Sequence, residues 1–148
     1  MLRAISDMVE SMEGTTMRVF VFGSNLAGHH GKGAALHAKN YYGAQERVCE
    51  GRTGDAYALP TKDALLGGLR LDQIRGHVRL FLQEAQSTPH VEYLVTRIGC
   101  GLAGYQDSDI GPMFAFAPRN CILPVQWHYW AGEGYRYHDE GRVFDGEE

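Results

Sequence analysis

The sequence lacks an excess of positive charge: its 14 Lys and Arg are outnumbered by 18 Asp and Glu, and the net charge is −4 with neutral histidines. This balance argues against a general nucleic-acid binder, because such proteins gain affinity by releasing counterions from clustered positive charge. The net charge is still compatible with a positive patch on one face of the protein. Only five prolines are present, so the composition is not that of a low-complexity or collagen-like chain.

Cysteine is scarce, and Cys49, Cys100 and Cys121 leave an odd number with no C-x-x-C pair. This excludes a disulfide framework and is typical of a reducing compartment, so we expect a cytoplasmic protein. No apolar run approaches the ~18 residues that a membrane-spanning helix needs. Residues 1–14 carry acidic side chains and no continuous apolar stretch. We therefore expect neither a secretory signal nor contact with a membrane.

What the sequence has in surplus is glycine. The chain contains 19 glycines in 148 residues, where average usage gives roughly ten. Its length is that of one ordinary domain, and 44% hydrophobic residues suffice for a single core. We therefore expect that particular positions of the backbone require glycine.

Apolar patterning predicts alternating strands and helices, which is typical of an α/β fold with a mixed or largely parallel sheet. Predicted strands lie at 17–23, 55–62 (stopping at Pro60), 91–99 and 121–125, and predicted helices at 1–16, 34–42, 71–86 and 106–117. Residues 44–55 and the aromatic tail show no clear period. We expect an N-terminal extension at 1–16, a domain at 17–126, and an aromatic, acidic C-terminal extension at 127–148.

The informative glycines follow two of these strands. They are Gly23, Gly28, Gly31 and Gly33 after the first, and Gly99, Gly101 and Gly104 after the third. In open α/β sheets, ligands bind at the carboxyl ends of strands, where glycine lets backbone N–H groups approach an anion. A helix that begins near Lys32–Ala34 adds the positive end of its dipole. We predict a phosphate or diphosphate site between the two loops; the alternative is that the glycines only serve tight turns.

Two familiar phosphate motifs are incomplete. Gly23 and Gly28 have the Walker A spacing, but His29 and His30 replace the Lys and Ser/Thr, so a P-loop NTPase is not expected. The segment 31–36 has two glycines of a dinucleotide fingerprint and lacks the third, which disfavours a hydride-transfer enzyme. The two histidines have no partner pair at zinc-ligand spacing, so we expect no metal, and no cofactor.

Three sequence blocks carry a resemblance to a known family. They are Asn25 with GKGAA (31–35), GDAYALPTK (54–62) and RIGCGLAG (97–104). Together they resemble the macrodomains, which bind ADP-ribose, and RIGCGL is most similar to the branch that contains the terminal ADP-ribose protein glycohydrolase. The resemblance implies an α/β protein with a three-layer α/β/α macrodomain-like fold and a mixed central sheet, with ADP-ribose across its crest.

The resemblance also implies which residues contact the ligand. These are Gly23, Asn25, Gly28, Gly31, Lys32, Gly33 and Ala34 in the first loop, and Gly99, Cys100, Gly101, Leu102, Ala103, Gly104 and Tyr105 in the second. In the glycohydrolase branch, a lysine at the place of Lys62 attacks the anomeric carbon of the sugar. That branch also has an aspartate where this chain has Ala103.

Several residues keep two interpretations. Lys62 is either a nucleophile or phosphate contact, or a solvated loop lysine. Asn25 either faces the ligand or serves a turn, and Arg97 either contacts an anion or forms an ion pair. His29 and His30 are expected to be solvated, and Cys100 to be a small residue between glycines.

Three functions follow. The first is a module that binds ADP-ribose or a related NAD-derived nucleotide and senses, carries or sequesters it. The second is a hydrolase that uses Lys62 to remove ADP-ribose from a macromolecule. The third is a structural or interaction protein that does not bind the ligand. Ala103 favours binding over hydrolysis, while Asn25 and the glycine loops disfavour the third. The aromatic tail is expected to dock on the domain, or to form an interface in a homo-oligomer.

Overall fold

A computed structural model describes residues 17–139, and the helix predicted over 1–16 lies outside them. The elements are, in chain order, β1 (Arg18–Asn25), α1 (Gly33–Tyr41), β2 (Gly51–Thr53), β3 (Ala56–Lys62), α2 (Leu71–Ser87), β4 (Glu92–Val95), α3 (Asp107–Ile110), β5 (Cys121–Pro124), α4 (His128–Ala131) and β6 (Arg136–His138). Two 3₁₀ turns lie at Gly111–Phe114 and Val125–Trp127.

The strands form one mixed six-stranded sheet in the order β2-β3-β1-β4-β5-β6. All neighbouring strands are parallel except β2 and β3, which are antiparallel. The α/β class and the mixed sheet predicted from the sequence are therefore confirmed. None of the helices among the described residues is long and apolar enough to cross a membrane.

The central strand β1 is buried on both of its faces, as its continuous apolar run predicts. Val19 and Val21 pack in a cluster with residues of α2. Phe20 and Phe22 pack in a second cluster, which contains Ala38 of α1. Because successive side chains of a strand point to opposite faces, α1 and α2 cover opposite sides of the sheet.

The long helix α2 forms where its apolar periodicity predicts. Its buried stripe consists of Ile74, Val78, Phe81 and Ala85, spaced three or four residues apart, which places them on one helix face. The helix ends at Ser87, and the hydroxyl of Thr88 donates to the carbonyl of Glu84 at 2.8 Å. The sequence next has a proline, at position 89. Pro has no backbone N–H with which to continue the helix.

β3 runs through Pro60, so the prediction that it stops there is wrong. The amide of Phe20 donates to the carbonyl of Asp55 at 2.8 Å. Alternate residues of β3 face β1, and the nitrogen of position 60 therefore faces the β2 side. There β2 has already ended, since Gly51 pairs with Ala58. Pro60 thus costs the sheet no hydrogen bond, and β3 continues to Lys62.

The other differences are short elements. The helix predicted over 106–117 is one α-helical turn, α3, followed by a 3₁₀ turn that carries Pro112. The predicted strand 91–99 is β4 alone, and its last four residues belong to a loop. β2 and β6 lie in segments without a clear period.

The start of the aromatic tail packs on the sheet. Trp127 is fully buried and stacks on Phe114, with ring centroids 4.8 Å apart. Tyr135 and Tyr137 pack against the same cluster, and β6 pairs with β5 in parallel. β6 therefore extends the sheet that the first part of the chain builds, and Trp127, Tyr135 and Tyr137 pack on its core.

Candidate functional site

The sheet has one point at which the order of its parallel strands reverses. From β1 the chain passes to β3 on one side, and it then crosses to β4 on the other side of β1. Ligands of open α/β sheets bind in the crevice outside the carboxyl ends of the strands at such a switch point. The β1 loop (26–32) and the β4 loop (96–106) leave the sheet on either side of it. Of the predicted glycines, Gly28 and Gly31 lie in the β1 loop and Gly99, Gly101 and Gly104 in the β4 loop, whereas Gly23 lies within β1 and Gly33 begins α1.

The carboxamide of Asn25 closes the β1 loop. Its Nδ2 donates to the carbonyl of His29 at 2.8 Å, and its Oδ1 accepts from the amide of His29 at 3.0 Å. The side chain is buried. Of the two interpretations of Asn25, this geometry is that of a turn residue, because both polar ends of the amide already bind the loop backbone.

Gly28 lets the β1 loop approach a neighbouring segment. Its φ is +70°, and a Cβ on it would lie 2.5 Å from the Cα of Arg47. The amide of Arg47 donates to the Gly28 carbonyl at 2.8 Å. A glycine is required here because the two backbone segments pack closely. The sequence alone does not distinguish this packing role from contact with a ligand.

The adjacent histidines differ in exposure. His29 is exposed, as expected, but His30 is buried and packs edge-on against Phe22. The expectation of a solvated His30 is therefore wrong. The His30 amide donates to Oε1 of Glu46 at 3.0 Å, and this bond is the main reason that the pKa of Glu46 is lowered. Glu46 also lies 3.3 Å from Nζ of Lys39 on α1. It anchors the β1 loop to the helix, although no motif in the sequence marks it.

The N-terminus of α1 points out of the same loop. Lys32 occupies the N-cap position without a capping side chain, and no acidic residue lies in the first turn. The first intrahelical bond runs from the amide of Leu36 to the Lys32 carbonyl, at 3.1 Å. The amides of residues 33–35 precede it, so the helix offers them and the positive end of its dipole to an anion.

The β4 loop folds back on itself. Gly99 and Gly104 have φ values of +75° and +86°, and the Tyr105 amide donates to the Gly99 carbonyl at 2.9 Å. A Cβ on Gly99 would lie 3.1 Å from Cδ1 of Ile110. Gly99 therefore serves packing on α3, whereas a Cβ on Gly104 would meet open space.

The β4 loop approaches β1 at Gly23, near the end of the strand from which the β1 loop leaves. A Cβ at this position would lie 3.1 Å from Oγ1 of Thr61 and 3.8 Å from the amide nitrogen of Gly99. The absence of a side chain at Gly23 therefore leaves room for Thr61 of β3 and for the β4 loop to approach β1 closely. The contact with Thr61, which the sequence does not mark, follows from the parallel pairing of β1 with β3.

Lys62 lies at the carboxyl end of β3, beside Asn25. Their Cα atoms are partners in the sheet register, and the Leu26 amide donates to the Lys62 carbonyl at 3.0 Å. Lys62 also pairs with Gly68, where a Cβ would lie 2.5 Å from the carbonyl oxygen of Ala103. The structure thus brings Lys62, Asn25 and the β4 loop together at the carboxyl ends of the central strands.

Arg97 forms an ion pair and is not an isolated anion contact. Its Nη2 lies 2.6 Å from Oδ2 of Asp107, and Trp127 Nε1 donates to the other carboxylate oxygen at 2.8 Å. Burial raises the pKa of Asp107, but the hydrogen bonds from Arg97 and Trp127 outweigh this and hold it below the usual value. An open cavity of about 480 Å³ adjoins the pair, bordered by Cys100 and Trp130.

Within residues 17–139, no group of three or more His, Cys, Asp or Glu side chains could hold a metal ion. No protein-family model, curated protein or solved structure matches this chain. The switch point combines loop backbone, the N-terminus of α1 and Lys62, and groups of this kind suit an anionic ligand.

Proposed function

We propose that this protein binds ADP-ribose or a related NAD-derived nucleotide, on a three-layer macrodomain-like fold. The ligand lies along the crevice between the β1 loop and the β4 loop. The observation that carries the proposal is the approach of the β4 loop, at Gly99, to Gly23 of β1, near the strand end from which the chain leads through the β1 loop to the uncapped N-terminus of α1. Backbone amides at such a place hold a diphosphate without a cluster of basic side chains, which is compatible with the net charge of −4.

Lys62 supplies the positive side chain of this site. Lys62 pairs with Asn25 at the carboxyl end of β3, next to the end of β1 from which the β1 loop leaves. An ammonium group here attracts the diphosphate or a sugar hydroxyl whether or not a bond is broken.

Binding is favoured over hydrolysis because the nearby carboxylates are already engaged. Asp107 is held by Arg97 and Trp127, and Asp109 accepts from the amide of Gln106 at 3.0 Å. Asp63 accepts from two amides of its own turn. With Ala103 at the position of the aspartate in the glycohydrolase branch, the β4 loop contains no Asp or Glu that could act as a general acid or base.

Calorimetric titration with ADP-ribose, using AMP and ribose 5-phosphate as partial ligands, tests the proposal. We expect saturable binding of ADP-ribose and weaker binding of either fragment. Gly101→Val should abolish binding without unfolding the protein, because a β-branched side chain blocks the approach of the ligand to the backbone. Gly76→Val is the matched control, since Gly76 is exposed on α2 with no atom within 4 Å of its Cβ position. No heat and no thermal shift at millimolar ADP-ribose would overturn the proposal.

Incubation with a mono-ADP-ribosylated protein separates the binder from the hydrolase. A binder retains the modified protein and releases no free ADP-ribose. Release that is lost in Lys62→Ala would instead identify a hydrolase that uses this lysine.

A further inference from the structure

An exposed phenylalanine lies near the amino ends of β4 and β5, far along the strands from the crevice. Phe116 is 96% exposed, although Phe114, two residues earlier, is fully buried. It borders two cavities of about 450 and 420 Å³. We call this surface the Phe116 groove. It lies between the second half of α2 with the turn after it (residues 79–89) and the segment 116–120.

The side chain of Asn120 holds the two walls of the groove together. Its Nδ2 lies within hydrogen-bond distance of the carbonyls of Ala85, Thr88 and Val91, at 3.0, 3.1 and 2.9 Å. Ala85 belongs to the buried stripe of α2, and Val91 directly precedes β4. One carboxamide thus fixes the segment 116–120 against the end of α2 and the turn that follows it. A segment that docks there does not need to order the walls first.

The first described residue lies close to the groove. The Glu92 amide donates to the Met17 carbonyl, and the Tyr93 amide donates to the Asn120 carbonyl, both at 2.9 Å. Met17 and Asn120 therefore flank the start of β4 on opposite sides. Because neighbouring strands are about 4.8 Å apart, Met17 and Asn120 lie about 10 Å from each other. The chain before Met17 thus begins its path beside a wall of the groove, since Asn120 lines it.

The sequence before Met17 has an apolar stripe whose length fits the groove. The helix predicted over 1–16 carries on one face Leu2, Ile5, Met8, Val9 and Met12. From Ile5 to Met12 a helix rises ~10 Å, and α2 rises ~12 Å between Arg79 and Ser87, which both line the groove. Residues 13–16 reach up to ~14 Å when extended, which is enough to cover the distance from Met17.

The charges of the groove and of this sequence are opposite in sign. Arg79 and Arg119 line the groove, and none of its lining residues is Asp or Glu. Residues 1–16 carry three acidic side chains between positions 7 and 13, and one basic side chain, Arg3. Such complementarity favours this occupant over a basic one.

We propose that residues 2–12 of this chain dock in the Phe116 groove, with their apolar stripe on the ring of Phe116. Docking removes the ring and the stripe from water, which stabilises the docked segment. The short connection to Met17 gives the segment a high effective concentration at the groove, so a modest contact area suffices. The inference does not depend on the ligand of the crevice.

Residues 140–148 are the less suitable occupant from the same chain. β6 pairs in parallel with β5, and Pro124 pairs with His138. The chain therefore leaves β6 at the carboxyl ends of the strands, whereas the groove lies near the amino ends of β4 and β5. In residues 140–148 the only large apolar side chains are those of Val143 and Phe144, which are adjacent and so cannot form a stripe along a helix.

Nuclear Overhauser spectroscopy on the full-length protein tests the proposal. We expect cross-peaks between the ring protons of Phe116 and the methyl groups of Ile5 and Val9. In a mixture of isotope-labelled and unlabelled protein, they should arise within one chain. Absence of any cross-peak from residues 2–12 to Phe116 would overturn the proposal. Cross-peaks between chains would assign the groove to a second copy, and cross-peaks from Phe144 would assign it to residues 140–148; either result would also overturn it.

Thermal unfolding of full-length variants tests the same contact by its contribution to stability. Phe116→Ser and the double variant Ile5→Ser/Val9→Ser should each lower the Tm by about 2–4 °C. Their combination should lower it no further, because both remove one interaction. An unchanged Tm for Phe116→Ser, or a combined loss equal to the sum of the two, would overturn the proposal.

Tyr129→Ser is the matched control for Phe116→Ser. Tyr129 is 86% exposed and lies on α4, outside the groove. Its replacement should leave the Tm unchanged, alone and in combination with Ile5→Ser/Val9→Ser. A loss in Tyr129→Ser as large as that in Phe116→Ser would show that the effect is not specific to the groove, and would contradict the proposal.

Discussion

The guanidinium of Arg97 donates to both oxygens of the Asp107 carboxylate, from Nε at 3.0 Å and from Nη2 at 2.6 Å. This two-point pair ties the start of the β4 loop to the first turn of α3. Both side chains are about four-fifths buried, so solvent screens the pair less than it screens a surface ion pair. Asp107 therefore holds the start of the β4 loop in place and is not a free acid.

The lowered pKa of Asp107 predicts how this pair responds to acid. Because the folded-state pKa lies below the unfolded value, the pair stabilises the protein above the ordinary Asp range, and this contribution is lost as the pH falls through the lowered folded-state pKa. We expect Asp107→Asn to reduce the free energy of unfolding by about 1–3 kcal/mol near neutral pH. The difference from wild type should shrink below about pH 4.

Urea unfolding between pH 7 and 3 measures this difference. Asp72→Asn is the control, because the ion pair of Asp72 with Arg70 is exposed, and its loss should leave stability unchanged. A difference between wild type and Asp107→Asn that is the same at both ends of the pH range would contradict the assignment.

Gly28 is expected to be required for folding stability. Gly28→Ala combines a left-handed φ with a Cβ 2.5 Å from the Cα of Arg47, and should lower the free energy of unfolding by about 1–3 kcal/mol. Gly31→Ala in the same loop meets no atom within 4 Å and should change it by less than about 0.5 kcal/mol. Denaturant unfolding of the two variants checks this, and equal losses would show that the loop is not packed as described.

The strain at Leu66 predicts that a glycine is better tolerated there than at its neighbour. Leu66 has a φ of +69°, and Leu66→Gly removes the ~1–2 kcal/mol that this left-handed conformation costs a leucine, against a loss of ~0.5–1 kcal/mol from the entropy of glycine. The folded protein should therefore become slightly more stable, whereas Leu65→Gly gains nothing and should be destabilised. Thermal unfolding gives the comparison; a lower Tm for Leu66→Gly than for Leu65→Gly would refute it.

Burial predicts the reactivity of the three thiols. Burial raises the pKa of Cys121 to about 12, and the thiolate is the reactive form. Cys49 and Cys100 are partly exposed. In the native protein, a thiol reagent at pH 8 should therefore label Cys49 and Cys100 rapidly and Cys121 only after unfolding. Cys121→Ala should leave the native count unchanged. Equal rates at all three cysteines in the native protein would contradict this placement.

The central elements could be predicted because their signals are local. A short window of sequence is enough to predict β1 from its apolar run and α2 from its apolar stripe. β2 and β6 could not be found in this way, since each has three residues, and pairing with a distant strand stabilises them. The passage of β3 through Pro60 likewise depends on where its neighbour β2 ends, which no window of sequence contains.

The candidate site shows the same division. Glycine spacing predicted both loops at strand ends, and in the structure the β4 loop approaches the end of β1 at Gly23. The separate roles of the glycines depend on contacts across the fold, such as Gly28 with Arg47 and Gly99 with Ile110. Glu46, Thr61 and the burial of His30 were missed for the same reason: each contacts a segment that lies far away in the sequence.

Backbone-amide NMR of the protein titrated with ADP-ribose tests the central claim most directly. At saturation we expect the largest shift changes at the amides of residues 31–35 and 99–104, where the β1 loop and the β4 loop border the crevice. Amides near Phe116, which is exposed in the segment before the amino end of β5, should not move. Saturable binding with no shift in either loop, or no change anywhere at millimolar ADP-ribose, would contradict the account.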